Sequence, residues 1–305
     1  QIDDFTSILN NAKENVASET RLIIGPWAHA RDVLLPNSHQ AIPYRKESIA
    51  PSIKWFDHQL GINKDPLNMP RIKIFVMGTN RWRDENEWPL ARTKYTSFYL
   101  HSSGAANSLD GDGLLNKTAP HEEETPDNYV YNPKDPVPSA GGAMLGPRSG
   151  IQMQNTIESR PDVLVYSTPT LSESLEATGP VRAELYVSTD VPSTDFTAKL
   201  VDVYPDGRAY NICDGILRHN YEPNNNSEES PVKISIDLWP TSYLFRKGHR
   251  IRLEVSSSNF PRYDRNTNTR AFAPTASETV IANQTVFHSN QYPSRLILPI
   301  IPHSK

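Results

Sequence analysis

Between Val181 and Val255 the chain repeatedly alternates apolar with polar side chains, residue by residue. Val181, Ala183, Leu185 and Val187 interleave with Arg182, Glu184, Tyr186 and Ser188, and Ile234, Ile236, Leu238 and then Ile251, Leu253, Val255 repeat the period of two. Successive side chains of a strand point to opposite faces, so each such segment buries one face and wets the other. Two antiparallel sheets packed face to face satisfy that pattern. With about eight or more such strands, a β jelly roll is the natural architecture for residues 95–305. The 26 prolines of the 305-residue chain, with its many Asn, Ser and Asp residues, supply the turns between short strands. Residues 102–160 are rich in Gly, Pro, Asp and Asn and are expected to be long loops draped over the sandwich.

Residues 1–94 follow a different rhythm. Phe5, Ile8, Leu9, Ala12 and Val16 recur at helical spacing across 5–17. RLIIGPW is a short apolar run, as expected of a parallel strand buried on both faces. Residues 44–60 read as a second helix, broken or kinked near Pro51, and IKIFVMG at 72–78 as a second buried strand. Helix, strand, helix, strand is the order of an α/β sheet. The fold class is therefore mainly β, with a sandwich after Trp88-Pro89 and the end of an α/β sheet before it. Gln1 in place of Met, and a polar Gln1–Asn15, give the expectation that the chain starts inside a longer protein.

Composition removes several function classes. Lys plus Arg number 31 against 35 Asp plus Glu, a net charge of −4, which leaves no basic face for nucleic acid. The longest apolar stretches, such as LILPII, are too short to span a bilayer, so no membrane partner is expected. Cys213 is the only cysteine, and no His-Glu-x-x-His or paired-Cys ligand set exists, so no metal is implied. SLDGDGLLN lacks the further carboxylates of a calcium loop and reads as a turn. GPRSG at 146–150 places its serine one position too late for a nucleophile elbow. NRWRDENEWP and SSNFPRYDRNTNTR mix aromatic and basic residues; interface packing with Arg–carboxylate pairs is the first reading, a ligand or carbohydrate platform the second.

One histidine stands apart. In RLIIGPWAHA, His29 follows directly on the carboxyl end of a buried strand, the edge where catalytic groups of open α/β sheets collect. An imidazole there can shuttle a proton.

Several long strings, IIGPWAHA, MGTNRWRDENEWP, TDFTAKLVDVYPDGRAYNICDGILR, LWPTSYLFRKGHRIRLEVSSSNFPRYDRNTNT and HSNQYPSRLILPIIP, together resemble the CocE/NonD hydrolases over essentially the whole chain. That family includes cocaine esterases, α-amino-acid ester hydrolases and, more distantly, X-Pro dipeptidyl-peptidases. The resemblance implies that residues 1–94 are the C-terminal segment of an α/β-hydrolase domain and that 95–305 are its jelly-roll domain. It implies that His29 is the triad histidine, with the serine nucleophile, a lid-like helical domain and the oxyanion-hole donors all upstream of this chain. The triad aspartate is expected just before Gln1; Asp3 and Asp4 are alternatives that read more naturally as helix caps. The loop Gly141–Gly150 is implied to reach toward substrate, with Met144 and Leu145 as apolar lining. The implied substrate is a small acyl ester or peptide with water as second reactant, and no cofactor. The chain alone is then expected to be inactive. Its cut sheet is expected to associate with the N-terminal hydrolase segment or with itself. The rival expectation is a non-catalytic jelly-roll module binding a carbohydrate or protein through residues such as Trp239 or Tyr263.

Overall fold

The computed structural model describes residues 1–29, 31–146, 148–221, 231–270 and 278–302. Its N-terminal helix is shorter than the periodicity suggests. α1 (Ile2–Asn11) and α2 (Glu14–Glu19) are separate, because Ala12 adopts an extended conformation between them. Asn10 and Asn11, whose side chains compete for backbone hydrogen bonds, sit where α1 stops. Phe5 is buried, whereas Ile8 and Val16 remain exposed.

β1 (Leu22–Ile24) is followed by a π-helical turn (Arg45–Ile49) that runs into α3 (Ala50–Gln59). Pro51 lies in the first turn of α3, immediately after the π-helical turn, so the helical segment changes its winding beside the proline. β2 (Ile72–Val76) pairs parallel with β1, Leu22 opposite Ile72 and Ile24 opposite Ile74. The expectation of a strand buried on both faces fails for β1: only Leu22 is buried. The strand lies at the edge of a three-stranded sheet and, among the described residues, lacks a neighbour on its outer side. β3 (Arg81–Glu85) pairs antiparallel with β2 and completes that sheet. Its RWRDE sequence carries no apolar alternation, and it is held by contacts made elsewhere. Trp82 packs edge-on against Phe75, and Lys73 lies over its ring.

The remaining strands among the described residues are β4 (Lys94–His101), β5 (Leu114–Asn116), β6 (Asp127–Tyr131), β7 (Leu164–Ser167), β8 (Leu175–Thr189), β9 (Ser193–Val203), β10 (Ala209–Asn220), β11 (Val232–Phe245), β12 (Arg250–Ser256), β13 (Ala282–Phe287) and β14 (Arg295–Ile301). A short helix, α4 (Asn155–Glu158), precedes β7. The strands form one sheet in the order β10-β9-β12-β7-β5-β4-β14-β8-β13-β6, with β11 on the other edge of β8. The sheet folds over a single core built from Val181, Leu185, Phe196, Leu200, Ile236 and Leu253 among others, the positions that the period of two selects. Residues 102–160 are not all loop: β5 and β6 form there, and Tyr129 and Tyr131 of β6 are buried with their hydroxyls bonded to Ser257 Oγ and Asn266 O.

β11 carries a bulge. Its pairing with β8 runs to Asp237 opposite Arg182 and resumes at Pro240 opposite Pro180, so Leu238 and Trp239 face the single residue Val181. Gly215 of β10 makes room for it, since a Cβ there would lie 1.9 Å from Asp237 O. Backbone on both sides cannot yield locally, so Gly215→Ala is expected to destabilise the fold by about 1–3 kcal/mol, the range of overpacked cores. An unchanged urea midpoint for this variant would show that β10 and β11 are less tightly opposed than described.

The two sheets are joined through main chain and charge. Met77 N–H donates to Ser242 O (3.0 Å), and Leu244 N–H donates to Met77 O (2.8 Å). Arg83 of β3 reaches Glu176 of β8 with two bonds of 2.8 and 2.9 Å, while Glu85 accepts from both Arg83 and Arg92. The interface reading of NRWRDENEWP is what the structure forms.

One buried polar cluster bears on stability. Asp127 accepts from Ala106 N–H, Ser102 Oγ, Tyr166 OH and His288 Nε2 at 2.7–2.9 Å. His288 Nδ1 meets Glu124 Oε2 at 3.0 Å, and Glu124 Oε1 meets His101 Nδ1 at 2.7 Å. Burial works to lower the His288 pKa, but the two carboxylates outweigh it and the net shift is upward. Burial likewise works to raise the Asp127 pKa, but the donors around it, His288 first, hold it below the usual carboxylate range. Both ring nitrogens of His288 thus face carboxylate oxygens, which favour its protonated form.

Candidate active site

β1 ends at Ile24, and the chain turns through Gly25-Pro26. Gly25 is sterically required: a Cβ would lie 2.3 Å from the Trp27 ring, which folds back over the backbone at this point. Trp27 is locked edge-on against Tyr44 and tilted against Trp82. This locked turn presents His29, exposed, just beyond the carboxyl end of a parallel strand.

The facing wall is the loop Gly141–Gly150. It closes on itself through Gly142 N–H to Gly150 O (2.7 Å) and Gly150 N–H to Gly142 O (2.9 Å). Gly142 and Gly150 have φ of 88° and 81°, a region where glycine carries no side-chain penalty. Asn211 of β10 anchors the loop. Its Oδ1 accepts from Gln152 N–H at 2.7 Å, and its Nδ2 donates to Gly150 O at 3.2 Å. Gln154 supports it from below, donating to Ala140 O and accepting from Lys199 Nζ (2.8 Å), which in turn pairs with Glu254 (2.9 Å). The loop carries Met144 half-buried and Leu145 74% exposed.

A third wall comes from β10, β11 and the segment after β12. Trp239 and Pro240 lie at the β11 bulge, and Asp214 is paired with Arg262 Nη1 and with Asn259 Nδ2 (2.8 Å). Together these walls enclose a cleft of about 490 Å³ lined by His29, Met144, Leu145, Asp214, Trp239 and Arg262 among others. The three residues named for the site from sequence therefore border one space. Asp3 and Asp4 do not line it. They lie exposed in the first turn of α1, and no side chain makes a capping hydrogen bond there, so the cap reading is corrected: their charge favours the helix dipole from inside the turn.

Three candidate nucleophiles among the described residues fit poorly. Burial, then the Asp214 and Asp237 carboxylates, push the Cys213 thiol well above its ordinary range and keep it protonated. Ser149 of GPRSG donates to Gly146 O within its own loop; Pro147 lies outside the described residues. Ser102, His288 and Asp127 are neighbours, but Ser102 Oγ donates to the Asp127 carboxylate and both His288 ring nitrogens already face carboxylates. Asn211, Asp214 and Arg262 were not found from sequence. Arg262 lay in a flagged aromatic–basic segment, but nothing local marks Asn211 or Asp214. Of the two aromatics considered for a binding face, Tyr263 is half-buried beneath the Arg262 guanidinium, while Trp239 stands out at 60% exposure.

Comparison with known proteins adds four findings. Residues 67–297 match the family of the X-Pro dipeptidyl-peptidase C-terminal non-catalytic domain. The chain is 41% identical over 311 residues to a cocaine esterase from a Rhodococcus species, covering 97% of this chain and 53% of that protein. Its fold matches an α-amino acid ester hydrolase (TM-score 0.78, 25% identity, 98% of this chain, 52% of that one). It also matches an aminopeptidase from a marine sediment archaeon of the Thaumarchaeota (TM-score 0.77, 27% identity, 93% and 49%). The chain spans about half the length of the relatives it matches.

Proposed function

The chain belongs to the family of X-Pro dipeptidyl-peptidase C-terminal domains and is like the C-terminal portion of CocE/NonD hydrolases, and from that premise we propose that it serves a serine hydrolase of small ester or amide bonds, with His29 as general base and acid. In this reading residues 1–94 complete an α/β-hydrolase domain, and the sandwich is a jelly roll that walls the active-site cleft. The observation that carries it is the position of His29 on a locked turn at the carboxyl end of β1, bordering the same cleft as Met144 and Leu145.

The chemistry follows from those positions. A serine supplied from outside this chain loses its proton to the His29 imidazole as its oxygen attacks the substrate carbonyl. The imidazolium then protonates the departing alkoxide or amine, leaving an acyl-serine. Water repeats the sequence with the acyl group and regenerates the serine. Met144 and Leu145 exclude water from the acyl side.

Two features support a missing partner segment. β1 is an open parallel edge, and the groove beside it, about 520 Å³, is lined by apolar groups of Phe5, Ile8, Leu22, Trp55 and Phe56. An N-terminal hydrolase segment adding a parallel strand to β1 covers that surface.

A fluorophosphonate probe tests the proposal. The 305-residue chain is expected to remain unlabelled and to hydrolyse p-nitrophenyl esters no faster than free imidazole, whereas the full-length protein labels stoichiometrically. Labelling of the isolated chain would place the nucleophile within it and overturn the division of the triad.

A further inference from the structure

We propose that the groove between β3 and the turn joining β11 to β12 is a binding site for a multiply charged oxyanion of the pyrophosphate class. Four cationic side chains, Arg81, Arg83, Arg246 and Lys247, line this pocket of about 600 Å³ together with Trp82 and Glu176. Glu176 is the one carboxylate among the lining residues, and it is already paired. Both its oxygens accept from Arg83, and Oε1 also accepts from Thr178 Oγ1 at 2.7 Å. Arg83 Nε donates to Glu85, so that guanidinium is neutralised too. Asp202, behind the end of β11, accepts from Tyr243 OH and faces His249 Nδ1, and it does not line the groove. Arg81 and Lys247 have no carboxylate partner among the described residues. With Arg246 they concentrate positive charge on one groove of a chain whose net charge is −4.

The cations are held in place before a ligand arrives. Arg246 Nε and Nη2 both donate to Gly78 O, at 3.1 and 2.5 Å, which fixes the plane of the guanidinium and leaves Nη1 unbonded among the described residues. Lys247 N–H donates to Ser174 Oγ (3.0 Å) and Gly248 N–H to Leu171 O (2.9 Å), so the turn beneath the ammonium is pinned. A planar guanidinium matches the oxygens of an oxyanion, and groups already in position lose less entropy on binding. Trp82 walls the groove, but its ring is taken by Lys73 over it and by Phe75 and Trp27 beside it. The site therefore reads charge and oxygen geometry, with no aromatic face left for an attached base. β3 is the edge of its sheet opposite β1, so a strand added beside β1 leaves the groove open. A bound anion bridges β3 of the small sheet to the β11–β12 turn of the sandwich.

Calorimetric titration of the full-length protein with inorganic pyrophosphate tests the site. One site is expected, with an affinity that falls as NaCl is raised. Arg81→Ala and Lys247→Ala, both at exposed side chains, should each weaken binding about tenfold or more and leave the ligand-free Tm unchanged. Pyrophosphate should raise the Tm of wild type and not that of the double variant. Lys134→Ala, at an exposed lysine outside the groove, should bind as wild type does. An equal loss there would show that the anion follows overall charge, and it would overturn the site. Absence of binding to wild type, or equal affinities of wild type and the double variant, would overturn it as well. A nucleoside diphosphate should bind no more tightly than pyrophosphate; a clear gain from the nucleoside would refute recognition of the oxyanion alone.

Discussion

Replacing His29 by Ala in the full-length protein should lower kcat by about 10³-fold or more, while KM stays within about threefold. His29 stands on a turn whose shape is fixed by the Gly25–Trp27 contact and by the aromatic cluster of Trp27, Tyr44 and Trp82, not by the imidazole itself. In this chain its ring is exposed and has no hydrogen-bond partner among the described residues, so the turn does not depend on it. The variant should therefore fold and bind as the parent does and lose only the proton transfer. Steady-state kinetics beside a thermal melt separates the two effects. Near-parental turnover would remove His29 from the chemistry, and a large drop in Tm would show that the turn depends on it.

The second large effect concerns folding. Asp127→Ala is expected to cost about 3–5 kcal/mol, the range for removing one partner of a buried ion pair. The substitution strands the His288 imidazolium, the Ser102 and Tyr166 hydroxyls and the Ala106 amide at once. The cluster also sets a pH window. His288 has a raised folded pKa, so its contribution is fully present below the unfolded value of about 6.5 and is lost as pH rises through the folded value. Asp127 is depressed, so its contribution is present above the unfolded value of about 3.9 and is lost as pH falls through the folded value. Stability from this cluster should peak between those limits. His288→Gln should flatten the alkaline side of a Tm-versus-pH curve and, because His288 is the first of the donors that depress Asp127, weaken the acid side as well. An alkaline side identical in the two proteins would assign that loss to other groups.

The sandwich strands were legible because alternation at 181–187, 234–238 and 251–255 reports burial of one face, a local property of each strand. The order of those strands was not, since it joins segments far apart, as when β14 lies between β4 and β8. β3 escaped notice because a charged strand paired with β2 and clamped to Glu176 needs no apolar period. β5 and β6 were hidden in a segment whose loop composition outweighed three and five strand residues. The same division holds for the cleft. His29 was found because the strand before it is its own neighbour in sequence. Asn211, Asp214 and Arg262 act through partners many positions distant, and the Asp127–His288 cluster joins residues 161 positions apart.

The hydrogen bonds between Met77 and the Ser242 and Leu244 positions of β11 have a consequence for how this molecule can diversify. β2 belongs to the sheet that carries His29, and β11 carries Trp239 three residues before Ser242. The aperture between imidazole and indole is therefore gauged by peptide groups, which every residue type shares. Side chains on either bank can be exchanged for larger, smaller or more polar ones without resetting that gauge. A scaffold of this kind keeps the distance between its two banks constant while the side chains on them change.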